Sequence, residues 1–497
     1  MSERTPLILA IDEGTSNAKA VLVNQTGQVV ARASRPLSLN HPEPGFSEQD
    51  PEAIWAATRA SIEECLAQVA RPVDALAISN QRESVLAWSR HTGAALGPCV
   101  SWQCRRSSPL CTELRAQGHE AGVLAKTGLT LDPMFSAGKM RWLLDHLPDG
   151  HARAAAGEIC LGTVDSWLLW KLSGGQTFAT DPSNAARTQL YNLHTGGWDD
   201  ELLALFGIPR QALANILPSA GFFAETVALG TLPAGVPVLS MIGDSHAALY
   251  GQGGFVPGRV KATLGTGSSL MTPMAGPLAS AHGLSTTLAW HDGSAPTFAM
   301  EGNIVHTGAA VQWAAKLLAG EAPGAESLDA LTEQAAALPD NGGVYFVPAL
   351  SGLGAPHWQA QARGMICGLT EASSRAHLVR ASLESIGYQI RDVFEAMEHD
   401  IGAPLLELWV DGGATRNRWL MQFLADLLSR PVIRSLSPEV SALGAAHLAG
   451  KALGLWAEED ALLELERPRE RFEPNPQRIL QGQYEAWQQA LRRALVD

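Results

Sequence analysis

The sequence has no cysteine pair spaced as CxxC, no long apolar run, no excess of basic side chains and no P-loop. Its six cysteines (Cys65, Cys99, Cys104, Cys111, Cys160 and Cys367) include one loose cluster, Cys99, Cys104 and Cys111, and no histidine completes a ligand set there. A zinc or redox motif is therefore not expected, and the thiols read as buried and reduced. No segment approaches the roughly 18 apolar residues of a membrane span. The N-terminal stretch MSERTPLILAIDEGTS is apolar for only a few residues before an acid, which reads as a first strand rather than a signal peptide. A cytoplasmic protein is expected. Lys and Arg number 36 against 50 Asp and Glu, a net charge of -14, which argues against a nucleic-acid binder. An anionic ligand would need a locally positive or amide-lined pocket. Neither GxxxxGK[ST] nor GxGxxG occurs.

What is present is a globular composition, 17% charged and 46% hydrophobic. A chain of 497 residues exceeds one ordinary core, so at least two domains are expected. LILAID, KAVLVN and VVARAS, separated by GTSNA and QTGQ, predict a three-strand meander. DPEAIWAATRASIEECLAQVA opens on an acid and a proline and predicts a helix. VDALAISNQ predicts a buried strand. In the second half, PVLSMIGDSHAALYG, GRVKATLGTGSSLMTP and LLELWVDGGATRNRWLMQFLADLL repeat the theme of a strand, a polar or glycine-bearing turn and a further element. Both halves thus contain a strand ending in an acid before a small-residue turn, a duplication at domain scale. The boundary is placed near Gly251–Pro257, giving domains 1–250 and 251–497 joined closely around a cleft.

Five segments carry chemistry. In DEGTSNAK, Gly14 permits a tight turn, and Thr15, Ser16 and the backbone N–H groups can hold phosphate oxygens. Lys19 adds positive charge, and Asp12 suits Mg²⁺, a hard cation. The alternative is an ordinary hairpin. In KATLGTGSS, Gly265 and Thr266 form a second donor-rich turn, so that one turn per domain could clamp a polyphosphate. In VDGGATRN, a strand ending in Asp411 and two glycines would let a nucleotide approach the backbone. In IGDSHAALYG, Asp244 ends a strand and could accept the proton of a hydroxyl nucleophile; a helix N-cap is the plainer alternative. His246 reads as structural. In SNQRES, Arg82 and Glu83 together can donate to and accept from neighbouring hydroxyls, but both reach one ligand only if the chain turns there. A surface ion pair is the alternative.

Taken in order, these segments resemble the FGGY family of carbohydrate kinases, and within it the glycerol kinases. MFSAGKMRWLLDH (Met134 to His146) and GMICGLTEASSRAHLVRASLE (Gly364 to Glu384) resemble the two family signatures. WQCRR and TDPSNAART are further similar stretches. The resemblance implies an α/β fold of two domains, actin/Hsp70-like with ribonuclease-H-like cores, and ATP with Mg²⁺ in the cleft between them. It implies that Thr15 and Thr266 contact the ATP phosphates. Gly308, Gln312, Gly413 and Asn417 lie at the nucleotide, Arg82 and Glu83 bind substrate hydroxyls, and Asp244 is the general base. Members often form dimers or tetramers. A homo-oligomer is therefore admissible, although no segment selects a state.

Three positions depart from the glycerol kinase pattern. Met134 stands where Tyr is usual, Ser245 where Gln is usual and Ser269 where an aromatic is usual. Trp102 remains as an apolar wall. The altered pocket predicts a substrate larger than glycerol, such as a four- or five-carbon polyol or ketose; glycerol itself is the rival within the class. VALGTLPAGVPVLS lacks the arginine of the loop through which fructose 1,6-bisphosphate controls bacterial glycerol kinases, so no such inhibition is expected. Outside the enzymes, the same architecture could serve a nucleotide-switched binding protein or an inactive sensor. The Arg82–Glu83 pair argues against the first, and the intact Asp12, Thr15, Asp244 and Thr266 against the second.

Overall fold

Two sheets of matching topology organise the chain in a computed structural model that describes residues 5–495 except 70, 320–324, 360, 457, 458 and 466. The first sheet has six strands in the order Ala220–Glu225, Pro237–Gly243, Ala75–Asn80, Leu7–Glu13, Asn17–Asn24, Val29–Pro36. The last three form an antiparallel meander, Ala75–Asn80 and Pro237–Gly243 join in parallel, and Ala220–Glu225 closes the edge antiparallel. The second sheet has seven, in the order Ser285–His291, Pro296–Ile304, Ser268–Met274, Arg259–Leu264, Glu407–Asp411, Val432–Ser435, Arg469–Phe472. It too has an antiparallel meander, two parallel strands and an antiparallel edge. The duplication expected from the strand–acid–turn pattern is therefore a repeated ribonuclease-H-like sheet.

Local patterning explains the placements. Leu7–Glu13 is buried at every position, as a central strand must be, and Val29–Pro36 exposes most of its residues at the edge. The helix Pro51–Ala67 starts where Asp50 accepts the Glu52 N–H at 2.9 Å and Pro51 occupies the first helical position. Between Ala75–Asn80 and Ala220–Glu225 the chain leaves the sheet. It builds an inserted layer whose strands Cys99–Val100, Val85–Ser89 and Ile159–Thr163 are joined by the earlier Glu48–Gln49 into a four-stranded sheet, with its own core around Met140, Leu161 and Phe206. That layer brings Trp102, Met134 and Arg187 towards the cleft.

The halves meet where helix Asp244–Gly251 packs against helix Val440–Ala452. A Cβ on Gly444 would lie 1.8 Å from the Ala247 carbonyl oxygen, and one on Gly251 would lie 2.8 Å from that of Val440. Only glycine allows the two backbones this approach. Ser240 Oγ donates to the Ala445 carbonyl at 2.8 Å across the same contact. Ile8, Tyr250, Trp290, Leu448 and Trp456 form a shared apolar core there. All six cysteines are free and five are buried, as expected, with Cys367 half-buried. Among the described residues no helix is long and apolar enough to cross a membrane.

Candidate active site

The first turn follows the strand Leu7–Glu13. Gly14 N–H donates to the Asn17 carbonyl at 3.0 Å, leaving Ser16 exposed at the tip. Thr15 is held from two sides: its Oγ1 accepts the Trp102 indole N–H at 2.9 Å, and its carbonyl accepts Gln49 Nε2 at 2.9 Å. The predicted apolar wall and the predicted phosphate turn are thus one hydrogen-bonded unit. Asp12 Oδ1 accepts Ser79 Oγ at 3.1 Å, and Oδ2 lies 3.3 Å from Lys19 Nζ. Lys19 also pairs with Glu439 at 3.2 Å. Its ammonium therefore lies between two carboxylates at the foot of the turn. Beside Asp12, burial raises the Glu13 carboxyl well above the usual range; Gln81 offsets this in part, and Asp12 and Asp244 add to it.

Asp244 is the first residue of its helix, and Gly243 is the cap. The N-cap alternative therefore fails, and the carboxylate instead accepts the Ser245 N–H at 2.6 Å. The Asp244 side chain keeps 36% exposure to the cleft and lies 3.3 Å from Arg82 Nε. Desolvation raises its carboxyl, Arg82 draws it back, and Asp12 and Glu83 add repulsion; the net position is above an ordinary aspartate. Behind it, burial holds His246 well below the usual imidazole range, consistent with a structural residue.

Arg82 and Glu83 are not a surface pair. Both are buried, and Glu83 has φ 61°, the left-handed turn that lets adjacent side chains serve one site. Arg82 Nη2 reaches Glu301 at 2.7 Å, and Arg187 Nε reaches Glu83 Oε1 at 2.6 Å. Arg187 Nη1 also lies 2.6 Å from Glu301 Oε2. Burial opposes the Glu301 charge, but Arg187 and Arg82 outweigh it and hold that carboxyl well below its ordinary range. Ser269 Oγ donates to Glu301 Oε1 at 2.8 Å. Met134 is half-buried, and its carbonyl accepts from the buried Lys139.

The second turn is tied to the helix Gly308–Ala319. Gly265 N–H donates to Gly267 at 2.9 Å, and the Gly265 carbonyl accepts Gly308 N–H at 3.0 Å. A Cβ on Gly308 would sit 2.5 Å from that carbonyl, so glycine is required there. Thr266 is exposed at the tip, and exposed Gln312 lies four residues along the helix from Gly308, on the same face. After Glu407–Asp411 the chain makes a 3₁₀ turn, Gly413–Arg416, before the helix Arg418–Leu428. The sequence reading ran the glycine turn straight into the helix. The turn intervenes because Asn417 caps the helix, its Oδ1 accepting the Leu420 N–H at 3.0 Å. Gly413 is exposed with open space above it.

Two site residues escaped the sequence reading. Arg187 lay inside TDPSNAART without a role, and Glu301 was not singled out. Its signal was the lone charge in the interior of the buried strand Pro296–Ile304, where an acid must be paired.

Comparison with known proteins agrees with this geometry. The model of the FGGY family of carbohydrate kinases matches with its N-terminal domain over residues 7–251 and its C-terminal domain over residues 260–453. An apulose kinase of Pectobacterium atrosepticum is 52% identical over 99% of this chain and 98% of its own. A glycerol kinase of Acidovorax ebreus is 44% identical over 98% of this chain and 99% of its own. The crystal structure of Plasmodium falciparum glycerol kinase with ADP superposes with a TM-score of 0.92 at 30% identity, covering 99% of both chains. The chain belongs to the FGGY family of carbohydrate kinases. It is an ATP-dependent kinase acting on a small sugar or polyol.

Proposed function

We propose that the enzyme transfers the γ-phosphoryl group of ATP to a terminal hydroxyl of a polyol or ketose larger than glycerol, with Asp244 as the general base. The observation that carries this reading is the Asp244 carboxylate, open to the cleft, 3.3 Å from Arg82 and bordered by the short Ser245 side chain. The hydroxyl oxygen attacks the γ-phosphorus in line, its proton passes to Asp244, and the bond to the ADP oxygen breaks. Thr15 and Thr266, in the two turns, contact the phosphates from opposite halves with Gly14, Ser16 and Gly265. Gly308, Gln312, Gly413 and Asn417 border the nucleoside. Among the described residues no group of three His, Cys, Asp or Glu is placed to hold a metal. Asp12 fits a Mg²⁺ whose remaining ligands are phosphate oxygens and water. The ion would spread the charge on the transferring group.

Small or pliable residues at Met134, Ser245 and Ser269 support the larger substrate, as does the apulose kinase at 52% identity against 44% for the Acidovorax ebreus glycerol kinase. Glycerol is the second reading, favoured by the retained Trp102 wall and the Arg82–Glu83 pair. The division into domains 1–250 and 251–497 and a cytoplasmic location, supported by six free thiols and the demand for ATP, belong to the same proposal. Asp244→Asn should lower kcat by about two decades or more, with ATP affinity retained in a titration. Near wild-type turnover in that variant would remove Asp244 as the base.

A further inference from the structure

Resting on the kinase reading above, we infer that Glu301 is a positioning residue that sets the hydrogen-bonding polarity of the sugar pocket and so selects a substrate with a hydroxyl beyond those that glycerol offers. Glu301 lies on Pro296–Ile304, opposite Met271 of the neighbouring strand, and Ser269 is opposite Asn303. Glu301 and Ser269 are therefore diagonal neighbours across the pair, within side-chain reach. One buried carboxylate gathers the substrate side of the cleft. Its Oε1 meets Ser269 Oγ at 2.8 Å and Arg82 Nη2 at 2.7 Å, and its Oε2 meets Arg187 Nη1 at 2.6 Å. Through Arg82 it reaches Asp244, and through Arg187 it reaches Glu83.

An ionised carboxylate only accepts. Ser269 therefore gives its one proton to Glu301 and turns lone pairs alone towards the cleft, where its side chain is half-buried. It can accept from a substrate hydroxyl but cannot donate to a carbonyl or ether oxygen. Arg82 is held by Glu301 and Asp244, and its Nη1 is buried without a hydrogen-bond partner in the protein. The pocket thus offers an acceptor at Ser269. An aromatic at position 269 would fill space without reading polarity. A serine acceptor discriminates because a substrate lacking the matching hydroxyl leaves its oxygen unpaired and dry.

The test uses the full-length enzyme with ATP, its best polyol or ketose substrate, and single-deoxy analogues of that substrate. In the wild type, one deoxy position should lower kcat/KM by about tenfold. Ser269→Ala should bring that one penalty close to unity and leave the other deoxy penalties in place. Glu301→Gln should raise KM for the sugar by about tenfold, with KM for ATP unchanged, because Arg82 loses its anchor. If Ser269→Ala keeps the wild-type pattern of deoxy penalties, or if Glu301→Gln shifts both KM values equally, the inference is overturned. Should Glu301→Gln fail to fold, Ser269→Ala decides alone, since it alters a half-buried site and retains the Cβ. A wild type that phosphorylates no polyol or sugar overturns the kinase reading instead, which separates the two failures.

Discussion

Arg82 and Lys139 are both cations buried beside the cleft, and their partners set them apart. Arg82 meets Glu301 and Asp244, and Glu301, Glu83 and Asp244 together outweigh its desolvation and keep it charged. Lys139 meets only carbonyls, those of Met134 and Ser101, which hold the Met134 wall and the residue before Trp102. Burial pushes Lys139 down from 10.5 to about 8, with Glu83 opposing. Below that value the lysine is protonated in both folded and unfolded chains. Between there and its unfolded value the unfolded chain binds the extra proton, so stability rises with pH through this group. The full span is on the order of 3 kcal/mol. Lys139→Met should lack this rise. Denaturant unfolding of both proteins at about pH 7 and about pH 10 should show the difference moving in the wild type's favour at the higher pH. An unchanged difference would exclude a titrating Lys139.

At the scale of elements, the crossing of Asp244–Gly251 with Val440–Ala452 joins the helix that opens on Asp244 to the other half. Gly444→Ala forces a methyl onto the Ala247 carbonyl and should destabilise by about 1–3 kcal/mol. The matched control is Gly122→Ala, in the helix Glu120–Thr127 with open space around it, which should be neutral or stabilising by up to about 1 kcal/mol. Equal effects in thermal unfolding would contradict the close crossing. The strands around the cleft were legible because each couples an apolar run to a small-residue turn, as in LILAIDEGTS and VKATLGTGSS. The inserted layer was not read as a unit, because its strand Val85–Ser89 pairs with Ile159–Thr163, 70 to 78 residues on. Arg187 escaped for the same reason: its partner Glu83 is 104 residues away, and Glu301 is farther still. Local patterning reports which face is buried, not which distant charge meets it there. The cap at Asn417 was missed because the strand–glycine–helix pattern leaves no visible room for a 3₁₀ turn.

For the whole molecule, two repeated sheets each end an acid-bearing strand in a small-residue turn, and the inserted layer carries Trp102, Met134 and Arg187. On the proposed reading, substrate identity rests on what lines the cleft in front of Asp244. Met134, Ser245 and Ser269 make that lining shorter and more pliable than an aromatic and amide set would be. The most direct measurement is a comparison of kcat/KM for glycerol, erythritol, threitol and pentuloses with saturating ATP. A clear preference for a four- or five-carbon substrate is the predicted result. A clear preference for glycerol would contradict it.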